Sequence, residues 1–447
     1  VRLSRILIVL ASALCLSSIG SAQGAPEVDS PDLRSLRRLL EPQRRSEHPQ
    51  AQLVREIVGL GPRVAPLLVG LLTGALHATD WEQSGLSLEE ARAAQSDEDA
   101  LLCEALRGLP KASVAHALSD ACGGTATIDR RLVGLHLLAE VGEGADAVAC
   151  WRELSRGIEE IHLSRAYVRA QLESALARCL ERSAAGFEPL RRGLRDWEAR
   201  LYPAIVQACA DAGRRPGVEV LSRLRGISRE LDLVLVSELP KLAAATRGGL
   251  DELELSWLRG FLDDEDPVVR SNALLGLGRA CDPSAAVRFV DALADSDERV
   301  AQAALWSLKQ VSGVRLSGSR EIWLDWLEGE SRWYESERPQ QVQALESKDP
   351  AVPVAALQEL TRHPLYRHEN ARAVSALCAS AGADADVLRA ACAALRAFHS
   401  MAGADALLVL LGHEDETLRA LAHKALQELS GQTLAPEFEL WQALLAS

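Results

Sequence analysis

Aromatic residues are scarce, making up 4% of 447 positions although 48% of the chain is hydrophobic. Sheet folds draw on aromatic and β-branched residues in alternation, and no clear alternating run occurs here. Lysine is nearly missing: Lys111, Lys241, Lys309, Lys348 and Lys424 are the only five, so the basic groups are almost all arginine. No C-x-x-C pair, H-E-x-x-H, G-x-S-x-G or phosphate loop ending in Lys and Ser or Thr is present. The commonest zinc, hydrolase and nucleotide signatures are therefore absent, and no cofactor or metal is expected. A formal net charge of −14 makes DNA or RNA a poor partner, because an acidic surface repels phosphate backbones.

What is plentiful is Ala, Leu, Arg and Glu, all strong helix formers. Leu53, Val54, Ile57 and Val58 share one helical face, Gly59, Gly61 and Pro62 break it, and Val64 to Leu72 resumes it. The same stop at glycine and restart occurs at Gly142 after Arg131 to Val141, and at Gly213 after Pro203 to Ala212. This rhythm predicts an all-α chain of helical hairpins. Gly142-x-Gly144-x-x-Ala147 matches a relaxed dinucleotide fingerprint, but a helix precedes it where a strand is required, so it reads as a helix end.

The N-terminus reads as a leader. Arg2 and Arg5 precede the apolar run Ile6 to Leu16, and Gly20-Ser21-Ala22 fits small-x-small cleavage. The expected location is periplasmic or secreted, with an uncleaved anchor as the alternative, and no integral span after cleavage. Residues 23–50, with Pro26, Pro31, Pro42 and Pro49, read as a linker in which Asp32 to Leu40 can form a short helix. Residues 51–250 read as divergent hairpins carrying a polar insertion at about 75–100, and 251–447 as more regular repeats. Eight cysteines follow the leader, mostly in Ala-rich runs where Cys serves as a small buried hydrophobe.

The clearest signal is internal duplication. Residues 289–323 align without gaps on 407–441, a shift of 118, with ten identities. They include Asp297 and Glu298 with Asp415 and Glu416, Ser312-Gly313 with Ser430-Gly431, and Trp323 with Trp441. The duplicated block covers about 261–330 and 379–447. Within its first copy a shift of 31 carries Leu262, Asp264, Asp266, Val269, Ala273 and Leu277 onto Leu293, Asp295, Asp297, Val300, Ala304 and Leu308. One hairpin of two helices therefore forms the unit. Asp266 suits an N-cap, Pro267 the first helical position, and Val269, Ala273 and Leu277 a buried stripe.

The stretch Asp264-Glu265-Asp266-Pro267-Val268-Val269-Arg270-x-x-Ala273-x-x-x-Leu277-Gly278 resembles the HEAT repeat, in the short bacterial form similar to phycobilin lyase-type proteins. The resemblance is good over 261–310 and 384–431 and looser over 51–250. It implies an α-solenoid and, commonly, binding of another protein or peptide, and it supplies no catalytic residues. The expected role is thus an exported, non-catalytic scaffold, and the acidic charge suggests a partner with basic patches. A chromophore- or cofactor-handling lyase is the alternative, and a structural envelope-associated protein a further one. Trp326, Trp333 and Tyr334 have no counterparts in the second copy and are the candidate partner-binding residues. Trp323, which has one, reads as packing. His363 and His368 form the densest histidine group and read as a polar inter-helix loop.

Overall fold

A computed structural model describes residues 31–73, 88–246, 249–314, 316, 319–379 and 384–446. Among these there are 26 α-helices and no strand. The leader-like residues 1–22 lie outside the described residues, as do 23–30.

The chain forms two compact units, residues 1–212 and 213–447. In the first, the helices Gln50–Gly59, Leu88–Gly108, Ile128–Val141, Ala166–Arg182 and Tyr202–Ala212 pack each on the next as one layer. The helices Ala65–Leu72, Lys111–Cys122, Gly144–Arg156 and Phe187–Gly193 form the second layer. Each hairpin contributes one helix to each layer, so core residues are buried between neighbours rather than around one centre. Gly142 ends a helix and Gly144 starts the next, leaving no strand–turn–helix for a dinucleotide.

In the second unit Arg229–Ala245, Pro267–Arg279 and Glu298–Ser312 pack in sequence, as do Ala351–Thr361, Ala385–Phe398 and Glu416–Ser430. The 118-residue repeat is visible at backbone level. Helix Glu298–Ser312 answers to Glu416–Ser430, and the short 3-10 turn Pro283–Ala285 to Met401–Gly403. Asp266, Asp297, Asp384 and Asp415 each cap a helix by accepting a backbone N–H. Gly313 and Gly431 both end their helices at φ +68°, in the left-handed region a side chain disfavours. Among the described residues the only non-glycine positions with positive φ are Cys281 and His399, which are 118 apart. Ala273 and Ala391 are fully buried, as are Trp323 and Trp441.

Two sequence expectations look different in the structure. In the expected linker the short helix offered for Asp32 to Leu40 is present as Pro31–Leu40, but a second, Pro42–Glu47, follows it, and Leu33, Leu36, Leu39 and Leu40 are buried. The prolines sit at N1, where the missing N–H costs nothing and φ is already helical, so they start helices instead of breaking them. The polar insertion is helical from Leu88 onward, while 75–87 lie outside the described residues. Its Glu and Ala are good helix formers, and polarity alone does not make a loop. The change at 250 from divergent to regular repeats is not a boundary between the compact units, which divide after residue 212, and helix Arg229–Ala245 packs on Pro267–Arg279.

Candidate binding surfaces

The three aromatic candidates lie on helix Arg320–Ser336, and the structure gives them packing roles. Trp323, Leu327, Glu330 and Trp333 are its buried residues, a stripe at helical spacing. Trp333 is 5% exposed and stacks on His363, with ring centroids 3.5 Å apart and planes 10° from parallel. Tyr334 packs on Tyr366 at 3.9 Å, under the Arg338 guanidinium 5.0 Å away. Trp326 meets Trp323 edge to face at 6.1 Å. Trp333 is therefore not exposed for a partner, and Trp326 and Tyr334 are half-buried. The 323/327/330/333 spacing was present in the sequence and signals a buried face.

The two histidines are also spent within the fold. His363 Nδ1 lies 3.0 Å from Glu330 Oε1, and Nε2 lies 3.4 Å from Glu359 Oε1. Burial pushes the Glu330 carboxyl above its ordinary range, against the opposing pull of His363. His368 sits between the equivalent turns of the two repeat copies, 2.7 Å from Ser400 Oγ and 3.1 Å from the Ala280 carbonyl. Its burial lowers its pKa below the ordinary imidazole value. No group of three or more His, Cys, Asp or Glu is arranged to hold a metal among the described residues.

All eight described cysteines are free thiols, six of them buried. Desolvation raises Cys103 and Cys122 to about 11, and Cys150, Cys179, Cys378 and Cys392 to about 12. Such thiols are poor nucleophiles, and packing accounts for them.

A cleft of about 460 Å³ opens in the first unit between helices Gly144–Arg156 and Phe187–Gly193. Arg152, Glu153 and Arg156 line one wall, Arg192 and Gly193 the other, and Trp197 also lines it. Trp197 follows a single 3-10 turn, Leu194–Asp196, and its backbone carbonyl accepts from Tyr202 Oη at 3.3 Å. Its ring stacks on buried Trp151 at 5.9 Å, and the Arg152 guanidinium lies over it at 5.0 Å. Arg152 also donates to the Asp196 carbonyl at 2.7 Å. Arg156 and Arg192 pair with half-buried acids, Glu153 at 3.7 Å and Glu188 at 2.6 Å. Sequence reasoning missed this site. The available signal was Trp197 amid Arg191, Arg192, Arg195 and Arg200 in an otherwise acidic chain.

Residues 241–315 match the family model described as HEAT repeats. No curated protein matches the sequence. Among solved structures, human deoxyhypusine hydroxylase in complex with glycerol is 16% identical, covering 60% of this chain and 99% of its own, with a TM-score of 0.20. A crystal structure of an engineered protein is 18% identical, covering 68% and 96%, with a TM-score of 0.23. Likeness at that level carries no functional argument. Among the described residues no helix is long and apolar enough to cross a membrane.

Proposed function

We propose that this chain, whose residues 241–315 match the HEAT-repeat family model, is a non-catalytic scaffold binding another protein or peptide across its helical surface. One observation carries the reading: helical hairpins follow one another in layers, burying their inner faces on their neighbours and leaving the outer faces for a partner. Chemical groups that drew attention in the sequence support it in a second way. His363, His368 and the cysteines are engaged in packing and internal hydrogen bonds.

We place the protein outside the cytoplasm, in the periplasm or secreted, on the strength of Arg2, Arg5, the Ile6 to Leu16 run and Gly20-Ser21-Ala22. Mass spectrometry of the mature N-terminus checks this: a start at Gln23 or a near neighbour agrees, and a retained Val1 contradicts it. Cross-linking mass spectrometry in the native envelope fraction tests the scaffold role. The expected result is one protein linked reproducibly to neighbouring repeats and displaced by excess unlabelled chain. Scattered links that excess chain does not displace count against it.

A further inference from the structure

We propose that the cleft between helices Gly144–Arg156 and Phe187–Gly193 binds an acidic peptide segment of a partner protein, with Arg152, Arg156 and Arg192 taking its carboxylates. The inference rests on the scaffold reading and narrows the partner. It also reverses, at this one place, the basic partner suggested by overall charge.

The lining is the first argument. Three of its side chains are guanidinium groups and one, Glu153, is an acid, with Glu188 beside Arg192 at the edge, in a chain whose net charge is −14. Arginine offers a planar fork of donors that matches a carboxylate bidentately. Trp197 adds an aromatic ring to the lining.

The second argument is the state of those arginines. The Arg156 and Arg192 side chains are 59% and 80% exposed, and their pairs with Glu153 and Glu188 are surface contacts. Such pairs contribute little, so exchanging them for a ligand carboxylate loses little. Arg152 differs: ring stacking and the Asp196 carbonyl hold its guanidinium in place before any ligand arrives. Preorganisation of this kind lowers the entropy cost of binding. A cleft of about 460 Å³ takes a short stretch of extended chain. A peptide is favoured over nucleic acid because the net charge of −14 on the whole chain opposes a long, dense phosphate backbone.

Fluorescence anisotropy with the full chain tests the inference, using fluorescein-labelled hexaglutamate, hexaglutamine and hexathymidylate as probes. The variants are Arg156→Glu with Arg192→Glu, the milder Arg156→Gln with Arg192→Gln, and Arg332→Glu as an exposed control in the other unit. Circular dichroism verifies that each folds. Wild type is expected to bind hexaglutamate at least about tenfold tighter than hexaglutamine, and charge reversal to weaken it about tenfold or more. The glutamine pair should weaken it less, the control should match wild type, and added salt should loosen the complex. Equal binding of hexaglutamate and hexaglutamine, unchanged binding by the reversal variant, or tighter binding of hexathymidylate would each overturn the proposal. The two readings fail separately. A displaceable cross-linked partner that ignores both cleft variants leaves the scaffold role standing and removes this site.

Discussion

At the scale of the residue, arginine is the recurrent device. Helix C-termini leave carbonyls without intrahelical donors, and arginines from neighbouring segments supply them. Arg107 donates to the Glu140 carbonyl at 3.2 Å, Arg182 to Gly142 at 2.9 Å, and Arg367 to Gln310 at 2.9 Å and Val311 at 2.8 Å. Arg131 is the extreme case. It is 3% exposed and donates to the carbonyls of Ala126, Glu153, Leu154 and Gly124. Gly157 lies so close that a Cβ there would land on the Arg131 guanidinium. Arg131→Ala strands several buried acceptors and should lower stability by about 3 kcal/mol, read as a fall in the urea midpoint. An unchanged midpoint would show that water replaces the guanidinium without loss.

Asp99 gives a pH-dependent prediction at the same scale. Burial on helix Leu88–Gly108 raises its carboxyl from 3.8 to about 6. A raised folded value means folding favours the protonated form. Its stabilising contribution is therefore complete below the unfolded value and is lost as pH rises through about 6. Asp99→Asn should stabilise the protein at pH 7 by about 1 kcal/mol after allowing for solvent screening. The gain should vanish by about pH 4. Thermal melts across that range check it, and a constant gain would contradict the assignment.

At the scale of the element, the hairpin was legible wherever the determinants are local. Asp266 and Asp297 cap the helices expected of them, and Val269, Ala273 and Leu277 are buried as their spacing requires. In the segment 31–47 only the Asp32 to Leu40 helix was legible, because proline punctuates a sequence in two ways. Pro31 and Pro42 begin helices, and the Leu33, Leu36, Leu39 and Leu40 stripe was the better guide. The cleft was not legible, since it brings Arg152 beside Trp197 across two helices and no linear spacing encodes that. The arginine-to-carbonyl contacts were hidden for the same reason. Ala273 and Ala391 occupy equivalent buried positions, so Ala273→Trp and Ala391→Trp should each overpack a helix interface and lower stability by about 1–3 kcal/mol. Chemical denaturation measures this, and a wild-type midpoint in both variants would contradict equivalent burial.

At the scale of the whole molecule, each of the two units is a series of helices that pack mainly on their neighbours in sequence. Such construction grows by copying, and the 118-residue duplication in the second unit records one such event down to the paired backbone angles at Cys281 and His399. It also leaves long rows of outer helix faces, the property on which a binding role depends. Hydrogen–deuterium exchange of the full chain, with and without its cross-linked partner, tests that role most directly. The account predicts slowed exchange along the helices of at least two consecutive hairpins, including Gly144–Arg156. Protection confined to one enclosed pocket in a single hairpin, with the partner chemically altered afterwards, would contradict it.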